Sequence, residues 1–401
     1  MNHQREAVIV QALRTPVGKY GGVLRDVRPD DLGALIIKTL VEKTKIDPSL
    51  IDDVMWGCAN QAGEDNRNVG RMSALLAGLP QSVPANTINR LCGSSLDAII
   101  QAARAIWSGD ADVIIAGGVE SMSRAPYSVP KNQSGGFGNL TAYDTALGWR
   151  YPNQNMERLF PLESMGETAE NIAEKYRINR NEQDEFALAS HAKAVAAQKG
   201  GRFVEEIVAV NIPGRKGEAT VIEKDEGPRP DTTLEKLATL PPVFRKGGSV
   251  TAGNSSSLND GSSAFLVMGG EKAKELGLKP MARVVSTGVA GVDPRFMGIG
   301  PVPATQKALA KAGLTIKDMD VIELNEAFAA QSIAVISDLQ IPTGKLNPNG
   351  GAIALGHPLG CSGARIMTTL LHEMHRRNAH YGLATMCIGV GQGIAAVVER
   401  T

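Results

Sequence analysis

Asn89-Arg90-Leu91-Cys92-Gly93-Ser94-Ser95 is the most informative segment of this chain, because a helical pattern and a strand pattern come directly after it. Residues 96–107 place their apolar side chains at helical spacing, and residues 112–118 form an apolar run that ends in glycines. This periodicity predicts an amphipathic helix and then a buried strand. A loop, a helix and a strand in this order are typical of a layered α/β protein.

The same unit recurs near the other end of the chain. Gly356-His357-Pro358-Leu359-Gly360 precedes a predicted helix over 362–376, and a predicted strand over 381–387 again runs into glycines. This is a weak internal repeat. It predicts two similar α/β halves packed together, with a functional site where the two loops meet.

The remaining patterns extend this division. We predict further strands at 7–10, 54–57, 280–285 and 393–398, and further helices at 31–45, 167–175, 180–198, 303–312 and 325–339. A chain of 401 residues exceeds one typical core. We assign 1–121, completed by 251–271, to an N-terminal half, 122–250 to a loop insertion that covers the site, and 272–401 to a C-terminal half.

The composition argues against several classes of protein. The 42 basic residues balance the 42 acidic ones, so the net charge favours neither nucleic acid nor an anionic membrane as a partner. The four cysteines form no C-x-x-C pair, which argues against a disulfide scaffold and against a zinc site. The sequence contains no targeting pattern or apolar membrane span, so we expect a cytoplasmic protein without a metal.

Two cysteines have contexts that suggest chemistry. Cys92 precedes a helix, where backbone N–H groups and the helix dipole stabilise an anion, so we expect a lowered pKa and a reactive thiolate. The alternative is a buried, inert cysteine. Cys387 enters Gly389-Val390-Gly391, which is either an oxyanion hole of backbone N–H groups beside a thiol acid or base, or a turn after a small core residue.

His357 lies in a loop that glycines and Pro358 keep irregular. A thiol and an imidazole together form an activated nucleophile, and the alternative is a histidine that braces the following helix. We interpret Cys58 and Cys361 as structural. The polar helix end that carries His372, His375 and His380 is expected to face solvent.

Two polar segments leave alternatives open. Asn325 opens the predicted helix over 325–339, where it either caps the helix or holds a water molecule in a site. Residues 250–261 are small, polar and flexible, and they suit either a close-fitting ligand wall or a plain loop.

Taken together, these residues resemble the thiolase family along essentially the whole chain. The matching segments occur in the family's order and spacing: Arg14-Thr15-Pro16, Asn89-Arg90-Leu91-Cys92, Gly117-Gly118-Val119-Glu120-Ser121-Met122-Ser123, Asn325-Glu326-Ala327-Phe328-Ala329, Asn349-Gly350-Gly351-Ala352-Ile353-Ala354-Leu355-Gly356-His357-Pro358 and Cys387-Ile388-Gly389-Val390-Gly391. Each segment is weak alone, and jointly they are highly specific. The resemblance implies a five-layered αβαβα fold of two similar halves plus a loop insertion, assembled as a homodimer or homotetramer.

The resemblance implies acyl transfer between a 3-oxoacyl-CoA and acetyl-CoA. Cys92 would carry the acyl group, with His357 as its base, and His357 with a water held by Asn325 would bind one oxyanion. Cys387 would act as acid or base at carbon, and the backbone N–H groups of Cys92 and Gly389 would bind the other oxyanion. A second thiol suits a reaction that makes or breaks a carbon–carbon bond, since a proton must then move at carbon.

The resemblance also implies coenzyme A as a co-substrate and no tightly bound cofactor. Seven residues are implied along the pantetheine and one at the nucleotide end: Ser256, Ala252, Phe244, Leu258, Met165, Ala327 and Phe328, and then Arg229.

Two features bear on the acyl group. Thiolases specialised for acetoacetyl-CoA often carry a histidine before the methionine of the insertion, where this chain has Ser164-Met165. Segments 144–150 and 297–303 resemble the 3-oxoadipyl-CoA thiolases of aromatic degradation. Their substrate ends in a carboxylate, which requires a cationic partner, and Arg150 is our candidate.

Three alternatives stay open: a biosynthetic acetoacetyl-CoA thiolase, a related condensing synthase, and a non-catalytic CoA- or lipid-binding member. Condensing synthases use a cysteine with two histidines or with histidine and asparagine, and they lack a loop like that of Cys387. A non-catalytic member is expected to have lost Cys92 or His357, and both are present.

Overall fold

The computed structural model describes residues 5–131, 138–214 and 218–401. The strands are β1 Ala7–Arg14, β2 Gly18–Lys19, β3 Asp53–Gly57, β4 Ala85–Ile88, β5 Val113–Ser121, β6 Tyr127–Ser128, β7 Tyr143–Asp144, β8 Val210–Pro213, β9 Ala219–Ile222, β10 Asn259–Gly269, β11 Ala282–Gly291, β12 Val321–Leu324, β13 Tyr381–Ile388 and β14 Gln392–Arg400.

The α-helices are α1 Pro29–Thr44, α2 Val69–Leu76, α3 Ser94–Ser108, α4 Gln154–Leu159, α5 Met165–Tyr176, α6 Arg180–Lys199, α7 Leu234–Ala238, α8 Gly270–Glu275, α9 Pro301–Ala312, α10 Ala329–Leu339, α11 Ala352–Leu355 and α12 Leu359–Arg377. Short 3₁₀ helices lie at Pro48–Leu50, Pro294–Ile299, Ile316–Asp318 and Thr343–Lys345. Among the helices of the described ranges, none is both long and apolar enough to cross a membrane.

The main sheet consists of two halves with the same topology. Its strand order is β12-β13-β14-β11-β1-β10-β5-β3-β4, with β2 paired to β10. In the first half β3 runs parallel to β5, and β5, β10 and β1 are antiparallel in turn. In the second half β12 runs parallel to β13, and β13, β14 and β11 are antiparallel in turn. The halves join where Val8 and Ile9 of β1 pair with Arg283 and Ala282 of β11.

Apolar packing stacks these elements into five layers. Helices α3 and α12 form the central layer, since their side chains share one core with strands of both sheet halves. Helices α1 and α2 cover the outer face of the first half, and α9 and α10 cover that of the second. The αβαβα fold expected from the resemblance is therefore confirmed.

The two central helices meet at their N-terminal ends. The Ala364 N–H of α12 donates to Ser95 Oγ of α3 at 2.8 Å. A Cβ at Gly363 would lie 2.5 Å from the Leu96 nitrogen, so only glycine permits this approach. The loops that precede the two helices consequently open at the same place, as the internal repeat predicts.

Two predicted elements were wrong in detail. Helix α10 begins at Ala329 with Phe328 as its cap, so Asn325 lies in the loop before it and does not cap it. The segment predicted as a flexible polar stretch becomes buried strand β10 from Asn259 onward. The part before it is ordered by Asn254, whose side chain accepts from the Thr251 N–H and donates to Asp184.

Candidate active site

Cys92 lies in a tightly bonded loop between β4 and α3. The Asn89 side chain accepts from the Leu91 N–H at 2.9 Å and donates to the Ala59 carbonyl at 2.9 Å. Ser94 Oγ accepts from the Arg90 N–H. Leu91 adopts a φ of 46°, a conformation that a branched side chain rarely takes and that its neighbours must hold in place.

The Cys92 thiol is more basic than its position before a helix predicts. Its burial raises the pKa to about 11, which outweighs the lowering by the backbone N–H groups of Gly389 and Cys92. The expected low pKa was therefore wrong. The reason is partly local, because the N–H groups of Gly93 and Ser94 at the helix end donate to Arg90 and Leu91 carbonyls. A resting thiol at this position needs a base before it can attack an electrophile.

Cys387 lies in a second loop that is packed against the first. It is the last but one residue of β13 and is followed by the turn Gly389-Val390-Gly391, in which Val390 has a φ of 63°. A Cβ at Gly389 would lie 3.3 Å from the Met165 sulfur and 3.4 Å from Leu91 Cδ1. The absence of a side chain at Gly389 leaves its N–H close to the Cys92 thiol.

The Cys387 thiol stays protonated near neutral pH. Burial raises its pKa strongly, and the negative charge of a Cys92 thiolate would raise it further. The two neighbouring thiols can therefore act in different ways. The first can be deprotonated by a base and the second can donate a proton.

His357 is held as a neutral imidazole in a third loop. Gly356 precedes it with a φ of 104°, and the His357 N–H donates to Asn259 Oδ1 at 2.8 Å. His357 Nδ1 lies 2.6 Å from Ser362 Oγ and 3.4 Å from Asn325 Nδ2. Burial lowers its pKa to about 3, and the nearby positive charge of Arg365 acts in the same direction.

One nitrogen of this ring remains available for chemistry. Ser362 Oγ donates to the Pro358 carbonyl at 2.9 Å, so we assign the tautomer in which His357 Nδ1–H donates to Ser362. His357 Nε2 then carries the free lone pair. Within the described ranges, Nε2 and Asn325 Oδ1 are buried and make no hydrogen bond.

A buried ion pair lies behind His357. Glu323 and Asn325 are two residues apart at the end of β12, and Glu323 Oε2 is 3.8 Å from Arg365 Nη1 of α12. Burial raises the pKa of Glu323 to about 8, whereas the Arg365 charge lowers it. Sequence reasoning missed this pair, since charged residues in helix and strand patterns are usually solvated.

The prediction that the end of α12 faces solvent was partly wrong. His375 and His380 are exposed, but His372 is only 7% exposed and its Nε2 bonds the Ala12 carbonyl at 3.0 Å. Sequence gives no sign of this contact, because Ala12 lies on β1 at the opposite end of the chain.

The residues implied for pantetheine lie near Cys387. Met165, Ala327 and Phe328 share an apolar cluster with Cys387, joined by the unpredicted Met297. Phe244 meets Phe328 edge-on, with 6.2 Å between the ring centroids. Ser256 reaches the same place, because its N–H donates to the Ala327 carbonyl at 2.9 Å.

The remaining implied contacts lie around a cavity of about 240 Å³. Ala252, Leu258 and Arg229 line it, together with Lys19 and His191, which the sequence did not suggest. The segment from Ala252 to Leu258 therefore lies between this cavity on one side and Ala327 and Phe328 on the other. His191 Nδ1 accepts from the Arg229 N–H, and burial lowers the pKa of His191 to about 4.

The other two cysteines are buried. Burial raises the pKa of Cys361 to about 12 and that of Cys58 well above its ordinary value. Cys58, Asp65 and Glu120 lie close enough together to suggest a metal site. Their donor atoms are already engaged, however, since Cys58 Sγ bonds the Asn60 carbonyl at 2.7 Å and Glu120 accepts backbone N–H groups.

Arg150, the candidate partner for a distal carboxylate, lies between β7 and α4, beside the loop after β3. Its Nη1 donates to the Thr145 carbonyl at 2.9 Å and its Nη2 to Asn60 Oδ1 at 3.4 Å. Both of these acceptors are neutral, and the positive charge of Arg150 also lowers the pKa of the nearby Asp65 carboxyl.

Comparison with known proteins agrees with this geometry. The N-terminal domain of thiolase matches residues 7–271, and the C-terminal domain of thiolase matches residues 278–400. The chain is 56% identical over 399 residues to the 3-oxoadipyl-CoA/3-oxo-5,6-dehydrosuberyl-CoA thiolase of Escherichia coli (strain K12), covering 99% of this chain and 100% of that protein. It is 51% identical over 397 residues to an acetyl-CoA acetyltransferase of Pseudomonas aeruginosa, covering 99% and 100%.

Two solved structures have the same fold. The Bacillus anthracis acetyl-CoA acetyltransferase superposes with a TM-score of 0.94 at 44% identity and covers 100% of both chains. The human mitochondrial 3-ketoacyl-CoA thiolase superposes with a TM-score of 0.93 at 42% identity and covers 99% of both.

Proposed function

The chain belongs to the thiolase family, and from this premise we propose that it cleaves 3-oxoadipyl-CoA with coenzyme A, giving acetyl-CoA and a shortened acyl-CoA. The observation that carries the proposal is the meeting of two thiols, Cys92 and Cys387, beside the Gly389 N–H. Hydrolysis of an ester or peptide needs one nucleophile. Cleavage of a carbon–carbon bond also needs a group that protonates carbon.

In the first half-reaction Cys92 attacks the ketone carbon of the substrate. His357 Nε2 accepts the thiol proton, and the sulfur–carbon bond forms. The bond between that carbon and the α-carbon then breaks, which leaves the acyl group on Cys92 as a thioester and the departing acetyl-CoA as a carbanion. Cys387 donates its proton to this carbanion, a task that suits a thiol whose pKa burial holds high.

Two groups of hydrogen-bond donors would stabilise negative charge on oxygen in this reaction. The Gly389 N–H reaches the Cys92 thiol, so together with the Cys92 N–H it can bind the oxygen of a group attached to that sulfur. On the other side, Asn325 meets His357 at 3.4 Å, an arrangement that supports a second oxyanion site through an ordered water.

In the second half-reaction the thiol of coenzyme A gives its proton to the Cys387 thiolate and its sulfur attacks the Cys92 thioester. The bond between the acyl carbon and the Cys92 sulfur breaks, the shortened acyl-CoA leaves, and Cys92 takes its proton back from His357. Coenzyme A would lie along Met165, Phe244, Ser256 and Phe328, with its nucleotide end toward Arg229 and the cavity. We propose that it is a co-substrate and that the enzyme holds no tightly bound cofactor.

The proposed acyl specificity depends on Arg150. Because its two hydrogen bonds go to neutral acceptors, a carboxylate at the end of the acyl chain would gain a charge-assisted bond there, in competition with the nearby Asp65 carboxyl. Several relatives named β-ketoadipyl-CoA thiolase are 52–56% identical to this chain, which favours the same substrate.

The first experiment compares cleavage of 3-oxoadipyl-CoA and acetoacetyl-CoA by the native chain, Cys92→Ser and Arg150→Met. We expect Cys92→Ser to be inactive on both substrates. We expect Arg150→Met to raise KM about 10-fold or more for 3-oxoadipyl-CoA alone, since a charge-assisted hydrogen bond is worth about 1.5–3 kcal/mol. Equal changes for both substrates would remove Arg150 from the proposal, and a preference of the native chain for long unbranched acyl chains would overturn the substrate.

A biosynthetic acetoacetyl-CoA thiolase is the second candidate, favoured by the 51% identity to an acetyl-CoA acetyltransferase. If this second candidate is right, the native chain should condense two acetyl-CoA molecules and should discriminate against 3-oxoadipyl-CoA. The sequence departure at Ser164 speaks against it.

We further propose a cytoplasmic homodimer or homotetramer in which 1–121 with 251–271 and 272–401 are the two halves, and 122–250 is the insertion over the coenzyme A site. Sedimentation of the purified chain tests the assembly.

A further inference from the structure

Glu120 is a buried carboxylate that joins two loops from different halves of the molecule. It lies near the end of β5 and is 1% exposed. Its Oε2 accepts from the Ala59 N–H at 2.9 Å and from the Gly360 N–H at 2.6 Å, and its Oε1 accepts from the Asn60 N–H at 3.0 Å. Ala59 and Asn60 come after β3, whereas Gly360 belongs to the first turn of α12.

The loop after β3 is bonded in turn to the loop of Cys92. The Ala59 carbonyl accepts from the Asn89 side chain at 2.9 Å, and the same side chain accepts from the Leu91 N–H at 2.9 Å. Leu91, with its positive φ, is the residue directly before Cys92. Glu120 therefore reaches the nucleophile loop through two hydrogen-bonded residues.

The first turn of α12 is bonded to His357 in a comparable way. The Cys361 and Ser362 N–H groups both donate to the Pro358 carbonyl at 2.9 Å, and Ser362 Oγ meets His357 Nδ1. A Cβ at Gly360 would lie 2.6 Å from Glu120 Oε2 and 2.7 Å from the Ala59 nitrogen. This close contact leaves no room for the two loops to shift relative to each other.

The charge of Glu120 also acts on the site. Cys58 and Asp65 face it from the loop after β3, Cys361 from α12, and Cys92 from the nucleophile loop. Burial raises the pKa of Glu120 to about 7, the three backbone N–H groups lower it, and Asp65 raises it. When Glu120 is ionised, its charge raises the pKa of Cys92.

We propose that Glu120 is a positioning residue that fixes the Cys92 loop against the His357 loop, so that acyl transfer to Cys92 depends on it. The inference rests on the proposed reaction. Glu120→Asp keeps the charge but shortens the side chain by one methylene group. Glu120→Gln keeps the length but replaces one acceptor oxygen by an N–H₂ group, which cannot accept from a backbone N–H.

The experiment measures the rate at which acetyl-CoA acetylates Cys92, by rapid quench and mass spectrometry, as a function of pH. The matched control is Glu373→Gln, which alters a buried carboxylate of α12 that bonds Asn349 and Arg376. We expect both Glu120 variants to be acetylated about 10-fold to 100-fold more slowly at an unchanged half-saturating acetyl-CoA concentration. The acetylation rate should begin to rise at a lower pH in Glu120→Gln only. This variant alone removes the negative charge that raises the pKa of Cys92. The control is expected to lose stability and keep the native rate.

Three results would overturn the inference. The first is an acetylation rate within about twofold of native in both variants, and the second is a higher half-saturating acetyl-CoA concentration with an unchanged rate at saturation. The third is an equal loss of rate in Glu373→Gln. A native chain that is not acetylated at all would refute the proposed reaction instead, so the two failures are distinguishable.

Discussion

Helices α3 and α12 occupy equivalent places in the two halves, yet they bury very different side chains. Helix α3 buries Leu96, Ile99 and Ile106 together with one charged residue, Asp97, which pairs with Arg90 of the loop directly before the helix. Helix α12 buries Arg365 and Glu373 as well as apolar residues. Each helix is preceded, two residues before its start, by a site residue: Cys92 before α3 and His357 before α12.

The difference shows that one topology can hold the Cys92 loop and the His357 loop in place by different contacts. The Cys92 loop precedes a helix whose apolar side chains share one core with strands of both halves and whose buried charge, Asp97, pairs locally with Arg90. The His357 loop precedes a helix bonded to distant parts of the chain, since Thr369 donates to Glu206, between α6 and β8, and His372 bonds the Ala12 carbonyl of β1. The position of His357 therefore depends on the assembly of the whole molecule.

The largest expected effect tests the nucleophile side of this comparison. Cys92→Ser should lower the rate of thiolysis by about 10⁴-fold or more, because a serine hydroxyl is a far weaker nucleophile that the neutral His357 must deprotonate. The measurement is CoA-dependent cleavage, together with detection of the thioester by mass spectrometry. Cys361→Ala, a buried cysteine of α12, is the matched control and should retain the thioester.

The second prediction concerns the buried charges of the imidazole side. Arg365→Met leaves Glu323, whose pKa burial raises to about 8, as a buried carboxyl group without its partner, which should lower the free energy of unfolding by about 1–3 kcal/mol. On α3, Ile99→Val should cost about 0.5–1.5 kcal/mol. Urea unfolding measures both. The double variant Glu323→Leu/Arg365→Met should recover most of the loss, and additive losses would contradict the assignment of these two residues as a coupled pair.

The third prediction concerns the lowered pKa of His357. An unfolded histidine titrates near 6.5, whereas folded His357 titrates near 3, so the unfolded chain binds more protons between these values. Stability should therefore be complete above pH 6.5 and fall as the pH drops toward 3, by up to about 1.4 kcal/mol per pH unit from this residue. In thermal unfolding, the stability of His357→Gln should therefore fall less steeply with decreasing pH than that of the native chain. The separate contribution of His191, whose pKa is also lowered, should remain. If the slope of stability against pH is unchanged, a group other than His357 is responsible for the decline.

The smallest expected effect concerns the coenzyme A contacts. Phe244→Leu reduces the apolar surface that would contact the pantetheine of coenzyme A, and leaving one or two carbon-sized groups of that contact unburied costs about 0.5–1.5 kcal/mol of binding free energy. The KM for coenzyme A should rise about 2-fold to 12-fold with kcat nearly unchanged. Steady-state kinetics with varied coenzyme A measures this, and an unaltered KM would remove Phe244 from the binding surface.

Much of the fold could be predicted because the decisive signals are local. The apolar spacing after Ser95 marks α3 within the chain segment itself, and the predicted strands at 7–10 and 112–118 lie within β1 and within one residue of β5. The start of α10 was predicted at Asn325 instead of Ala329, because the loop between β12 and α10 contains no glycine or proline to mark it. Residues 250–261 were predicted to be flexible because small polar residues look alike in a loop and in a buried strand that pairs on both sides.

The α/β class, the two related halves and the three loops that hold Cys92, His357 and Cys387 could all be derived from the chain's own pattern, since periodicity and motif spacing need no partner. The high pKa of Cys92, the neutrality of His357 and the burial of Arg365 arise only in the folded molecule. Each of these depends on desolvation and on groups that come from other segments. A charged or polar side chain carries no mark in the sequence of whether its neighbours will be water or protein.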